Sequence, residues 1–332
     1  MIPNAFTVLQ TPPFNPATVN RTVVDENFHM PVYDSVSFEI QREFTRDLVM
    51  RVGYVGTKGT GLFESVDANP ALIGCVNSNP ALCRANRNQG PTRLRTNSGS
   101  SIYHSLQTSL EKRLTSGFSA GLHYTYSTFI DTMSEIFNVS RGEIAVAQDS
   151  YNRRADRARS SFDRPHRIAG NFVYELPFYR DQKGWAGQVL GGWQLNSQFS
   201  LQSGSPFTPL NGSDPAATLA SISSLVGNAI RPNINTNLDL SNMSVEEIVG
   251  AGGRSLFRTI TAAQRVGDVG RNVLRSDGIN NIDFGILKNT KIGENQRLQL
   301  RADFFNFTNS RDFGIPNSTV TSTDFLNQWG TD

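Results

Sequence analysis

Ser119 lies in Gly117-Phe118-Ser119-Ala120-Gly121, the spacing of a nucleophile elbow. That chemistry needs a strand, a sharp turn at the serine and then a helix. Here the serine follows a turn and begins an alternating segment, so it reads as a polar-face serine behind a turn glycine. The histidines His29, His104, His123 and His166 show no metal-ligand spacing, and none forms a compelling nucleophile–base pair with a serine. The chain is expected to be no enzyme, with no catalytic residue, bound cofactor or metal. Asn211-Gly212-Ser213 fits a glycosylation acceptor, a short pattern of little weight by itself.

Two other constellations carry chemistry. Cys75 and Cys83 are the only cysteines, and both fall in one polar stretch. Their spacing suits neither a zinc knuckle nor a CxxC redox pair. They read as a loop disulfide in an oxidising compartment, or as two unpaired thiols. The densest charge runs through Arg153, Arg154, Asp156, Arg157, Arg159, Asp163, Arg164 and Arg167. One reading is ion pairing and outward-facing surface charge. The sharper one is a basic patch of Arg153, Arg154, Arg157, Arg164 and Arg167 that guides an anionic substrate. Arg297, Arg301 and Asp303 read as a charge ladder on a polar strand face.

The elements that must carry these residues alternate with a period of two, the signature of a sheet with two unlike faces. Strands are predicted over 33–44, from 48 to about 56, and over 101–114, 118–127, 166–177, 193–202, 282–286 and 297–304. In 118–127, Phe118, Ala120, Leu122, Tyr124 and Tyr126 alternate with Ser119, Gly121, His123, Thr125 and Ser127. The turns Thr45-Arg46-Asp47, Thr115-Ser116-Gly117 and Gly293-Glu294-Asn295 are short. The connections 57–100, 131–163 and 204–280 are long, and 178–190 is intermediate. Within the longest, Ser244-Val245-Glu246-Glu247 fits a capping box and Gly250 a helix stop.

Strict alternation of short turns with long loops puts all the short turns at one end of the sheet. Transmembrane β-barrels are built so. A soluble β-sandwich shares the periodicity but gives no reason for long insertions at every second connection. Apolar residues are 38% and mean hydropathy is −0.34. Neither excludes a membrane, because a barrel strand shows only every second residue to lipid. No run approaches the roughly 20 apolar residues of a transmembrane helix. A net charge of +2 gives no argument for nucleic acid. Met1-Ile2-Pro3-Asn4 has neither the basic start nor the apolar stretch of a secretory leader, so the expectation is a cytosolic protein or a chain without its true N-terminus.

Several phrases are more specific than periodicity. They include Phe38-Glu39-Ile40-Gln41-Arg42-Glu43, Arg51-Val52-Gly53-Tyr54-Val55-Gly56-Thr57-Lys58-Gly59 and Tyr103-His104-Ser105-Leu106-Gln107. Further along come Phe162-Asp163-Arg164-Pro165-His166-Arg167, Gly191-Gly192-Trp193-Gln194-Leu195, Gly270-Arg271-Asn272 and Arg301-Ala302-Asp303-Phe304-Phe305-Asn306. In order and spacing, over about 28–317, they resemble the C-terminal barrel half of TonB-dependent receptors, closest to the Oar-like outer-membrane proteins.

That resemblance implies an all-β fold, an antiparallel transmembrane β-barrel segment of about eight strands out of 22, with long extracellular loops and short periplasmic turns. The domain is expected over 1–332, partial, with plug and C-terminal strand missing; the chain stops at Gly330-Thr331-Asp332 where the family's last strand would end. The implied partners are the TonB system through the missing N-terminal part, outer-membrane lipid, lipopolysaccharide and an unknown transported ligand, with no nucleic acid. The implied function is uptake or export across the outer membrane when whole. The alternative is a surface binding or adhesion barrel without transport.

Overall fold

The computed structural model describes residues 21–75, 80–134, 146–215, 229–261, 263–293 and 296–328, together with Val19 and Asn77. Glu294, Asn295 and the terminal Gly330-Thr331-Asp332 lie outside the described residues, as does Met1-Ile2-Pro3-Asn4.

Eight strands build one antiparallel wall in chain order: β1 Val32–Thr45, β2 Leu48–Asp67, β3 Thr92–Thr115, β4 Phe118–Asp131, β5 His166–Glu175, β6 Trp193–Gln202, β7 Ile279–Ile292 and β8 Gln296–Phe304. Each pairs with its neighbour in sequence. The sheet is open, and every residue of the edge strands β1 and β8 is exposed.

The register turns eight separate alternations into two continuous faces. Ile40 lies opposite Val52, Val52 opposite Thr108, Thr108 opposite Tyr124, Tyr124 opposite Ile168, and Ile168 opposite Leu201. One residue along, Gln41, Arg51, Ser109, His123 and Ala169 form the matching row of the other face. A one-residue slip in any strand would mix the faces, so the pattern fixes the register. Among the described residues nothing covers the apolar face: Phe38, Ile40, Leu106, Leu110, Leu122, Leu298 and Leu300 are all exposed. In water such a patch would be a liability. Against hydrocarbon it is the favourable solvent-facing side.

Aromatic rings bracket this face. Tyr54, Leu106, Tyr126 and His166 share one row toward the long loops. Phe118 and Tyr174 meet edge to face at the turn end, with ring centroids 6.1 Å apart. From Phe118 to Tyr126 the strand advances about 26 Å along its axis at about 3.3 Å per residue, which at the usual tilt of about 40° covers about 20 Å, most of the roughly 25 Å apolar band of an outer-membrane barrel.

The short turns have local causes. Thr115 pairs with Phe118, leaving Ser116 at φ 56° and Gly117 at φ 87° as a two-residue hairpin loop. Two positive φ values in succession are what a type I′ turn requires. One expectation needs correction. The stretch 57–100 is not one long loop: β2 and β3 stay paired out to Asp67 and Arg93, leaving only 68–91 as the connection. Above the girdle the strands no longer face lipid, so Thr57-Lys58-Gly59-Thr60 loses apolar alternation while its backbone pairing continues. The connection 178–190 contains a helix, α1 Gly184–Leu190, which has no side-chain cap and carries an exposed Trp185.

The apolar core sits in the loops. Phe207, Leu240, Ile248, Leu256, Phe257 and Leu274 pack with Val320, Phe325 and Leu326 from the segment after β8. Val146, Ala229, Ile230 and Ile260 form a second cluster. Helix α2, Val245–Gly250, starts at Ser244 with the expected capping box to Glu247 and buries Val245 and Ile248. The long connections thus fold into a cap at one end of the wall.

Candidate functional site

Charges at the strand ends hold the cap together. Arg231, 1% exposed, pairs with Asp156 and donates through Nε to the Val269 carbonyl at 2.7 Å. Arg271 pairs with Asp131 at the end of β4 and donates through Nε to the Asp156 carbonyl at 2.8 Å. Arg275 reaches Asp163 at 2.8 Å, while Arg159 lies 3.2 Å from the same carboxylate oxygen. The pairs of Arg231, Arg271 and Arg275 each join residues 131–163 to residues 231–275, so two long connections form one body.

Beside this brace opens a cleft of about 400 Å³, lined by Glu64, Ser98, Ser100, Thr132, Tyr151, Asn152, Arg153, Arg154 and Arg157. The turn of 3-10 helix Arg153–Asp156 points its buried Asp156 at Arg231 and leaves the three arginines exposed. Among the described residues the guanidinium groups of Arg154 and Arg157 have no hydrogen bond or ion pair. Arg153 lies 3.6 Å from Glu64, which also accepts a hydrogen bond from Ser98 Oγ at 2.9 Å. Among the described residues Glu64 Oε1 is buried without a partner, and burial pushes this carboxyl above its ordinary value. Glu64 stands ten residues beyond the girdle residue Tyr54 on β2, outside the lipid-facing part of the wall. Three cations against one carboxyl, ringed by hydroxyls, suit an anionic ligand that also carries hydroxyl groups.

The structure divides the arginines expected to form one patch. Arg153, Arg154 and Arg157 line the cleft. Arg164 instead bonds the Ser161 carbonyl at 2.9 Å and the Ser205 hydroxyl, and Arg167 lies exposed on the polar face of β5 opposite Thr125 and Gln202. Cys75 and Cys83 are joined in a disulfide, with Cα atoms 5.5 Å apart, in the 68–91 connection. Closing so short a loop limits the unfolded chain and is worth about 2–3 kcal/mol.

Ser119 opens β4 opposite Val173, on the polar face. His104 and His166 face outward and accept or donate at Tyr54 (2.7 Å) and Tyr124 (2.9 Å). Among the described residues no group of three His, Cys, Asp or Glu side chains could hold a metal. Asn211 is fully buried, its Oδ1 accepting from the Ile260 amide at 3.0 Å, so its side chain is a structural tie. Sequence reasoning missed Glu64 and the cationic partners Arg231, Arg271 and Arg275. The charge run through Asp156 and Arg157 and the phrase Gly270-Arg271-Asn272 marked the right places without revealing that they meet.

A family model described as Outer membrane beta barrel domain matches residues 2–328. Among solved structures, the outer membrane transporter YddB from Escherichia coli is similar, with a TM-score of 0.45 and 12% identity. The similarity covers 93% of this chain and 32% of that one, so the chain spans about a third of that protein's length. No curated protein matches the sequence.

Proposed function

The chain belongs to the outer membrane beta barrel domain family, and from that premise we propose that it forms part of the wall and outer cap of a TonB-dependent receptor of the Oar-like kind. The protein resides in the outer membrane. In this reading β1 and β8 pair with further strands of a 22-stranded barrel, since an open edge in lipid leaves backbone groups unpaired. The cap takes up an anionic ligand, and TonB, acting through a plug, supplies the energy for its passage. No catalytic step and no nucleic acid enter the proposal.

The observation that carries the reading is the cleft of Arg153, Arg154 and Arg157 on a cap braced to the strand ends. A rigid cap also favours a second reading, surface adhesion without transport. The test uses intact cells offered labelled citrate and glucose 6-phosphate, with glucose as the neutral control. Transport predicts surface binding of an anionic probe, loss of that binding in Arg154→Ala/Arg157→Ala, and entry that a protonophore stops. Binding without entry in energised cells favours adhesion. Equal binding of glucose and the anions overturns the assignment of the cleft.

A further inference from the structure

A second cleft, about 460 Å³, is lined on the wall side by residues whose register puts them on the apolar face. Its floor is Tyr126, Thr128, His166 and Ser203. Tyr126 and His166 are partners in the register and belong to the outward girdle row. Ser203 bonds His166 through both backbone and hydroxyl, which puts it at the same level. Arg159 lies opposite Ile130 in the short strand Ala158–Arg159, so it shares the face of Thr128 and Tyr126. Ser241, Met243 and Ser244 of the cap overhang the floor. The cleft therefore opens where the apolar wall ends and the cap begins, at the level of lipid headgroups.

Its charge is specific. Arg275 spends its donors on Asp163 and on the Gly204 carbonyl at 2.7 Å. Asp277, also in the lining, accepts from Gln328 at 3.0 Å. Arg159 is different: its side chain is 46% exposed, and among the described residues its guanidinium makes one polar contact, to Asp163 at 3.2 Å. Asp163 is fully buried and has Arg275 as its nearer partner, so Arg159 keeps donors facing the cleft. An exposed guanidinium over a ring of hydroxyls, directly above a lipid-facing apolar wall, matches a phosphate attached to a sugar whose acyl chains run down that wall.

We propose that this cleft binds the phosphorylated sugar headgroup of an outer-leaflet glycolipid, with Arg159 on the phosphate and the acyl chains along Leu122, Ile168 and Leu201. The site is separate from the arginine cleft, and either assignment can fail without the other.

The test is native mass spectrometry of the protein extracted from outer membranes in mild detergent, offered diphosphoryl lipid A, fully dephosphorylated lipid A or inorganic phosphate. Diphosphoryl lipid A should be retained at least about tenfold better than the dephosphorylated form. Arg159→Ala should remove that preference, and Arg159→Lys should restore part of it. Ser241→Trp, which fills the cleft from its exposed rim and leaves the Asp163 pairs intact, should lower retention of diphosphoryl lipid A as well. Equal retention of the two lipids, or unchanged retention in Arg159→Ala and Ser241→Trp, overturns the proposal. Inorganic phosphate that displaces the lipid at equal concentration overturns the lipid assignment in favour of a free-anion site.

Discussion

Arg231 and Asp156 are 75 residues apart in the chain and form an ion pair from which water is excluded. Asp156 also accepts from the Gln148 amide at 3.1 Å, and Gln148 Oε1 accepts from the Arg231 amide at 2.7 Å. The pair is thus closed by hydrogen bonds on both sides. Removing one member strands a buried charge, which costs about 3–5 kcal/mol, whereas replacing both by apolar residues can be nearly neutral.

The first prediction follows from that asymmetry. Arg231→Met alone should loosen the cap, and limited proteolysis of the extracted protein should cut within 203–278 at least about tenfold faster. The double change Arg231→Met/Asp156→Leu should recover much of the resistance. If both variants are cut alike, and as slowly as the unaltered protein, the brace is not what closes the cap.

The second concerns the two faces. Leu122 is midway between Phe118 and Tyr126 on the apolar face, and Ser109 is at the same depth on the polar face of β3, opposite His123. Leu122→Arg should cost about 2–4 kcal/mol, because it places a cation near the midplane of the bilayer. Ser109→Arg should cost well under half as much. Urea titration of the protein refolded into lipid vesicles measures both. Equal penalties would reverse or erase the assigned facing.

Much of the wall was legible because its signal is local. Leu122 and His123 point opposite ways whatever surrounds them, and the two-residue period shows it. The helix at Val245–Gly250 was legible for the same reason, since Ser244 and Glu247 cap it within one turn. Helix α1 was not, because Lys183 offers no cap and seven residues are too few for a periodic pattern. The brace was hidden for a different reason. Asp131 and Arg271 are 140 residues apart, and nothing in either neighbourhood encodes the other. The arginine run predicted one patch, but burial of Asp156 and the turn of 3-10 helix sent its members to different neighbours.

The third prediction tests packing on the lipid side. Gly170 lies opposite Phe199, and a Cβ on Gly170 would stand 2.5 Å from the Phe199 ring and 2.8 Å from the Gly121 carbonyl. The ring covers the glycine, a device that protects strand backbone where no side chain is present. Gly170→Ala must push the ring aside and crowd the neighbouring strand, at about 1–3 kcal/mol. Gly170→Ala/Phe199→Leu should regain part of that loss in the same urea titration. An Ala variant as stable as the parent would mean the ring does not lie over Gly170.

The fourth concerns pH. Asp67 ends β2 beyond the girdle, beside the connection that carries the disulfide. Burial pushes its carboxyl from 3.8 up to about 6, against a hydrogen bond from the Asn69 amide at 2.9 Å. A carboxyl raised in the folded state binds its proton more tightly there than in the unfolded chain. Folding of this segment is therefore most favoured below the unfolded value. It weakens as pH rises from about 3.8 through about 6 and is flat above that, by at most about 3 kcal/mol for this group. Hydrogen exchange over 66–93, corrected for the intrinsic pH dependence of exchange, should show protection falling across that window. Asp67→Asn keeps the shape but cannot ionise, so its protection should stay level from pH 4 to 7. The same decline in Asp67→Asn would place the titrating group elsewhere. Because Cys75–Cys83 closes the tip of this connection, the comparison should be made with the disulfide intact, so that only the state of Asp67 differs between the two proteins.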